Sequence, residues 1–156
     1  MKPGRADYLL ELWLAGTAAG AEIGRRMRGF GIEAHLFALL THISHREPVT
    51  PSAIAAEEGI PVTTVRDNVQ RLVDRGLVRR VPNPDDGRSY LLVKTSEGGR
   101  MLDVGSAVMA GVYGALAPTL PRAETEYAEM LRELRQAVAT LTSTGDLRAD
   151  APEASA

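Results

Sequence analysis

Residues 50–76, TPSAIAAEEGIPVTTVRDNVQRLVDRG, constrain the fold more than any other stretch of the chain. Thr50 is a good N-cap, Pro51 suits the first position of a helix, and Glu57, Glu58 and Gly59 end the run. The three residues Gly59-Ile60-Pro61 then lead into a second helical pattern. Val62, Val65, Val69, Leu72 and Val73 fall on one of its faces at about 100° per residue. Thr63, Thr64, Asp67, Gln70, Arg71 and Asp74 lie opposite, with Arg66 and Asn68 on the flanks. Gly76 stands where a C′ residue closes a helix. A short helix, a tight turn and an amphipathic helix form a helix-turn-helix pattern.

A hairpin directly after the second helix makes the pattern winged. LVRRV and SYLLVKT are two β-prone runs around PNPDDGR, and the turn between them is too long for a two-residue loop. Arg88 is the one basic residue of that turn, and Asp86 precedes it by two positions.

Helices are expected on both sides. Over residues 6–28, Leu9, Leu12, Trp13, Gly16, Gly20, Ile23 and Met27 recur at helical spacing until RGFGI breaks the pattern. Over 32–46 the stripe is Ile32, Leu36, Leu39, Leu40 and Ile43, and it stops before Pro48. From Ser96 to about Ala117 it is Met101, Val104, Val108 and Val112, and Pro118 and Pro121 break it. Over 122–141 it is Tyr127, Met130, Leu131, Leu134, Val138 and Leu141. Residues 142–156 have no periodicity and are expected to be a disordered tail. The expected fold class is mainly α: a winged helix-turn-helix at 47–95, supporting and dimerising helices at 1–46, and dimerising helices at 96–141. The outer stripes are longer than a small winged lobe can bury alone, which favours a homodimer.

Composition narrows the function. The chain has no cysteine, which removes disulfides, thiolate catalysis and cysteine-ligated zinc. The N-terminus does not read as a secretory signal, because Asp7 and Glu11 interrupt its start. No apolar run approaches the length of a membrane span, so a cytoplasmic protein without a membrane partner is expected. Net charge is −2 over 156 residues, but unevenly placed. Residues 62–95 hold seven basic and four acidic side chains, a net of +3, and the remainder carries −5. That asymmetry fits a polyanion-facing module on an acidic body, although a salt-bridged surface gives the same count. No nucleophile elbow, phosphate-cradling glycine loop or spaced carboxylate pair is present, so neither an enzyme nor a cofactor is expected.

A valine-backed helix can offer its other face to a major groove. Thr63 and Thr64 suit phosphate contact in the first turn. Asn68 can pair with an adenine edge, and Arg66 or Arg71 with guanine. Arg88 suits the narrow, negative minor groove, with Asp86 fixing its guanidinium. Arg79 and Arg80 at the base of the wing suit flanking phosphates. Ser52 completes the candidate DNA contacts. Tyr8, Trp13, Phe30 and His35 are either core and surface residues, the commoner outcome, or the lining of an effector pocket. His35, His42 and His45 with Glu33 or Glu47 give only a weak metal pattern, and no metal is expected.

LVDRGLVRRVPNPDDGRSYLLVKTSEGG resembles the wing region of the MarR (multiple-antibiotic-resistance regulator) transcription factors. The shared order is a leucine and a basic residue before Gly-Leu-Val-Arg-Arg, a Pro-Asp-Asp-x-Arg turn, an apolar strand ending in Thr, and a glycine-containing helix start. The order of helices over residues 6–141 is also similar. Two positions depart from the pattern: Gly87 replaces a frequent first arginine of the turn, and Lys94 precedes Thr95 where leucine is usual. The resemblance implies an obligate homodimer with interleaved terminal helices on a pseudo-palindromic duplex operator. It implies that Arg88 touches DNA and Asp86 orients it, and that a small, often aromatic or phenolic effector weakens binding. The rival expectation is a winged-helix module that uses the same face to bind protein.

Overall fold

The computed structural model describes residues 7–144. Six helices and one hairpin lie in the expected order: α1 (Asp7–Arg28), α2 (Ala34–Arg46), α3 (Pro51–Glu58), α4 (Val62–Asp74), β1 (Val78–Pro82), β2 (Tyr90–Lys94), α5 (Ser96–Leu116) and α6 (Glu124–Thr144). A single 3-10 turn, Ala117–Thr119, comes after α5. The fold is a winged helix-turn-helix, as its sequence pattern predicts.

The boundaries have local causes. Thr50 accepts the backbone N–H of Ala53 at 3.1 Å, and Thr95 accepts that of Gly98 at 3.0 Å, so each starts its helix with a side-chain cap. Gly59, at φ 66°, closes α3, and the Ile60 N–H reaches back to the Ala55 carbonyl. Gly76, at φ 69°, closes α4, and Leu77 N–H donates to the Leu72 carbonyl at 2.9 Å.

The core lies in the middle third. Val65, Val69 and Leu72 of α4 are fully buried against Leu36, Leu40 and Ile43 of α2, Ile54 of α3 and Leu92 of β2. The strands pair antiparallel from Val78 opposite Lys94 to Pro82 opposite Tyr90. Val49 adds a single bridge to Leu92, a third strand position that the alternation of the sequence does not announce. Lys94, at the position where the wing pattern departs, binds Glu47 twice, through its backbone N–H at 2.7 Å and through its ammonium. Burial raises the affinity of Glu47 for its proton, but the Lys94 bonds outweigh this and hold the carboxyl below its ordinary range.

The outer helices are different. Gly98 and Gly105 are the buried residues of α5. A Cβ on Gly98 would stand 2.1 Å from the Leu77 carbonyl oxygen, so only glycine lets α5 start directly under the wing. Leu9, Leu10, Trp13 and Leu14 of α1, Tyr113 and Leu116 of α5, and Met130, Leu131 and Val138 of α6 are exposed, Trp13 by 65%.

Two expectations need correction. Residues 142–144 continue α6, and the remainder of the anticipated tail lies outside the described residues. By length and composition, Ser96–Thr119 is long and apolar enough to cross a membrane, against the expectation that no segment approaches this. The residues between its periodic valines and methionines are mostly glycine, alanine and serine, which add little polarity. The histidines have separate partners among the described residues. His42 lies between Glu57 (3.0 Å) and Glu58 (2.9 Å), while His35 meets Arg71.

Candidate nucleic-acid interface

The face of α4 opposite its buried stripe presents Thr63, Thr64, Arg66, Asp67 and Gln70 to solvent. Asn68 sits half-buried on the flank. Pro61 precedes the helix and no side chain caps its first turn, so the amides of that turn point outward without a competing acceptor. Ser52 is exposed near the start of α3. Arg66 makes no ion pair among the described residues, which leaves its guanidinium available.

Arg71 is placed otherwise. It lies on the flank of α4 that meets α2, where its guanidinium pairs with Glu33 and stands 3.0 Å from His35 Nε2. Arg75, one turn later, pairs with the same carboxylate at 2.7 Å and with the Gly31 carbonyl. The backbone N–H that meets its carboxylate and the two arginines hold Glu33 below the ordinary range of a glutamate. This cluster ties the far half of α4 to the start of α2. Sequence reading missed Glu33 and Arg75; the signal was the spacing of Arg71 and Arg75 by four residues on one flank.

The wing turn organises itself. The Asn83 side chain accepts the Asp85 N–H at 3.1 Å and donates to the Ser89 hydroxyl at 2.7 Å. The Asp86 carboxylate accepts the Arg88 backbone N–H at 3.0 Å, not its guanidinium, which corrects the expected role of Asp86. The reason is reach: an aspartate two residues back closes a turn on the main chain more readily than it meets a long side chain. The Arg88 side chain is exposed and makes no ion pair among the described residues. At the base of the hairpin, Arg80 lies 4.8 Å over the Tyr90 ring and donates to Gln70 of α4 at 2.6 Å. That contact fixes the wing against the helix, so Arg80 is held while Arg79, beside it, is exposed.

The expected effector residues separate. A cleft of about 720 Å3 between α1, α2 and α5 is lined by His35 together with Ile23, Phe37, Met109 and Tyr113. Tyr8 and Trp13 lie exposed on the first half of α1, and Phe30 lies exposed at the α1–α2 corner; none of the three borders this cleft. Helical periodicity placed Trp13 on the stripe of α1 but could not say which part of that helix the others cover.

An amphipathic helix backed by a three-helix core, with a self-braced hairpin fixed to it, defines the winged helix-turn-helix class of proteins. Residues 30–89 match the model of the MarR family. A curated relative, the uncharacterized HTH-type transcriptional regulator YdcH of Bacillus subtilis (strain 168), is 32% identical over 92 residues. The match takes in 56% of this chain and 63% of the relative, so the chain spans less than two thirds of that protein's length. A mutant MarR from E. coli complexed with operator DNA has a TM-score of 0.71 at 21% identity, over 82% of this chain and 91% of that one. CouR from Rhodococcus jostii, bound to p-coumaroyl-CoA, has a TM-score of 0.72 at 24% identity, over 85% and 92%. At these identities the structural likeness establishes the fold.

Proposed function

We propose that this protein is a DNA-binding transcriptional regulator that binds a pseudo-palindromic duplex as a homodimer and responds to a small molecule. One observation carries the reading. α4 buries Val65, Val69 and Leu72 completely while Thr63, Thr64 and Arg66 stand exposed, beside a braced turn with the exposed cation Arg88. A helix with this division fits a major groove, and an arginine-tipped hairpin fits the adjoining minor groove. The solved relative bound to operator DNA supports the use of this fold for that purpose.

Within this reading, Ser52, Thr63, Thr64 and Arg79 contact phosphate, Arg66 and Asn68 face base edges, and Arg88 enters the minor groove. Asp86 shapes the turn that presents Arg88. Arg71, held by Glu33 and His35, positions α4. The exposed apolar faces of α1, α5 and α6 support a second copy as their cover, because contiguous apolar surface of this extent seeks a partner. The cleft lined by His35, Phe37 and Tyr113 has the volume of a small-molecule site, and the relative bound to p-coumaroyl-CoA supports an effector with an aromatic part. Residues 1–46 and 96–141 then form the dimerising body and 47–95 the DNA-binding lobe. Effector binding acts by favouring one spacing of the two lobes.

The test is selection of duplexes from a random pool by the full chain, and then a salt titration. The expected result is a two-fold sequence with half-sites about one helical turn apart and affinity that falls steeply with salt. A pool from which nothing is enriched would instead support a winged-helix module that binds protein.

A further inference from the structure

We infer that Gln70 of α4 is a positioning residue and not a base reader: bonded to Arg80 of β1, it sets the hairpin against the reading helix and makes the contacts of Arg66 and Arg88 depend on each other. The inference rests on the regulator reading above and adds how its two groove contacts are coupled.

Gln70 stands on the exposed face of α4, three, four and seven residues after Asp67, Arg66 and Thr63. By position alone it belongs with the side chains that would meet a groove. Its amide, however, has a partner at each end. Oε1 accepts from Nη2 of Arg80 at 2.6 Å, and Nε2 donates to Oδ1 of Asp74, one turn along the helix, at 2.6 Å. A guanidinium only donates and a carboxylate only accepts, so these partners fix which end of the amide is oxygen and which is nitrogen. A bidentate grip on adenine uses the same two ends.

Arg80 is held in turn by the wing. Its guanidinium lies 4.8 Å over the ring of Tyr90. Arg80 pairs with Leu92, and Tyr90 is two residues before it, so the arginine spans the strands diagonally on one face of the hairpin. The line Tyr90–Arg80–Gln70–Asp74 thus crosses both strands and ends on the reading helix. One ordered arginine serves two contacts, so the entropy of fixing it is lost once.

The α2–α3 connection holds β2 separately, because Val49 bridges Leu92 and Glu47 binds Lys94. Both ties are at the middle and base of the hairpin. Among the described residues, the Arg80–Gln70 bond is the one side-chain hydrogen bond between the hairpin and α4. Bonds between exposed groups add little to folding stability, so the consequence of this one is direction: where the turn that carries Arg88 stands relative to Arg66. A wing set at one angle brings Arg88 to its groove whenever Arg66 is seated. A wing free to swing does so in only a fraction of its positions, and the gain from Arg88 falls with that fraction.

The experiment uses the full chain and the duplex obtained by selection. Affinity is measured for the parent, Arg88→Ala, Gln70→Ala and Arg80→Ala, and for Arg88→Ala combined with each of the other two. Arg88→Ala is expected to cost about tenfold in the parent and about threefold or less in either other background. Simple loss of folded protein lowers every affinity by one factor and leaves this ratio alone. Selection repeated with Gln70→Ala is expected to return the base preferences of the parent. A base reader behaves otherwise: its loss relaxes one base pair of the selected sequence and leaves the cost of Arg88→Ala intact. A cost of Arg88→Ala that keeps its parental size in either background, or a relaxed base pair in the pool selected by Gln70→Ala, overturns the inference. A parent that enriches no duplex overturns the regulator reading and the inference with it, a result distinct from independent losses on a selected duplex.

Discussion

The Asp86 carboxylate accepts the main-chain N–H of Arg88 at 3.0 Å, and the Arg88 guanidinium extends into solvent. The aspartate therefore sets where the turn points and leaves the arginine's charge available. With Asn83 and Ser89 bonded across the same turn, the tip is ordered before it meets anything, which lowers the entropy lost on binding.

On the proposed reading, replacing Arg88 with alanine would remove a groove contact and no structural bond. Duplex affinity should fall by about 1–3 kcal/mol, roughly tenfold or more, while melting changes by no more than about 0.5 kcal/mol. Fluorescence anisotropy beside calorimetry checks both. Equal affinity of mutant and parent would remove the wing from the interface.

Asp86→Ala separates shaping from contact. Losing the turn bond should weaken duplex binding by about 0.5–1.5 kcal/mol, less than Arg88→Ala, and the double mutant should lose less than the sum. Additive losses would show that Asp86 acts independently of Arg88.

Glu47 predicts an acid-sensitive contribution. Its carboxyl is held below the ordinary range, so its bonds to Lys94 stabilise the fold above the unfolded value of about 4.3. That contribution is lost as pH falls through the lower folded-state value. Glu47→Gln should therefore lower stability near pH 7 by about 1 kcal/mol, with the difference from the parent shrinking in acid. A gap that stays constant down to about pH 2 would contradict the assignment.

The apolar face of α6 predicts the oligomeric state. Leu131 is 52% exposed, so a charge there leaves the winged lobe intact. Leu131→Glu should sediment as a monomer with unchanged helical content and weak duplex binding. A dimer of parental stability would place the interface elsewhere.

Gly98 tests the seating of α5 beneath the wing. Its missing Cβ would meet a backbone carbonyl, which cannot rotate away as a side chain can. Gly98→Ala should cost about 1–3 kcal/mol in chemical denaturation despite alanine's better helix propensity.

Much of the fold was legible because its signals are local. The Val65–Leu72 stripe, the Thr50 and Thr95 caps, and Gly59 and Gly76 as closing residues depend only on neighbours along the chain. The charged turn identified the wing for the same reason. The candidate site was legible as a face and less so as individual side chains. Thr63, Thr64, Arg66 and Arg88 are exposed as their positions on the pattern imply. Arg71 was indistinguishable from them by periodicity, because the acceptor that engages it, Glu33, lies 38 residues away.

The sequence by itself determined which segments become helix or strand, since hydrophobic period, capping and turn chemistry act over a few residues. It also determined that the middle third is the basic part of an acidic chain. Only the tertiary structure decided which arginines have side-chain partners and which do not, where α5 touches the wing, and that His35 of the α1/α2/α5 cleft also meets Arg71 of the reading helix. Those outcomes depend on contacts between residues far apart in the chain, and a side chain's partner across such a distance is chosen by packing rather than by its neighbours.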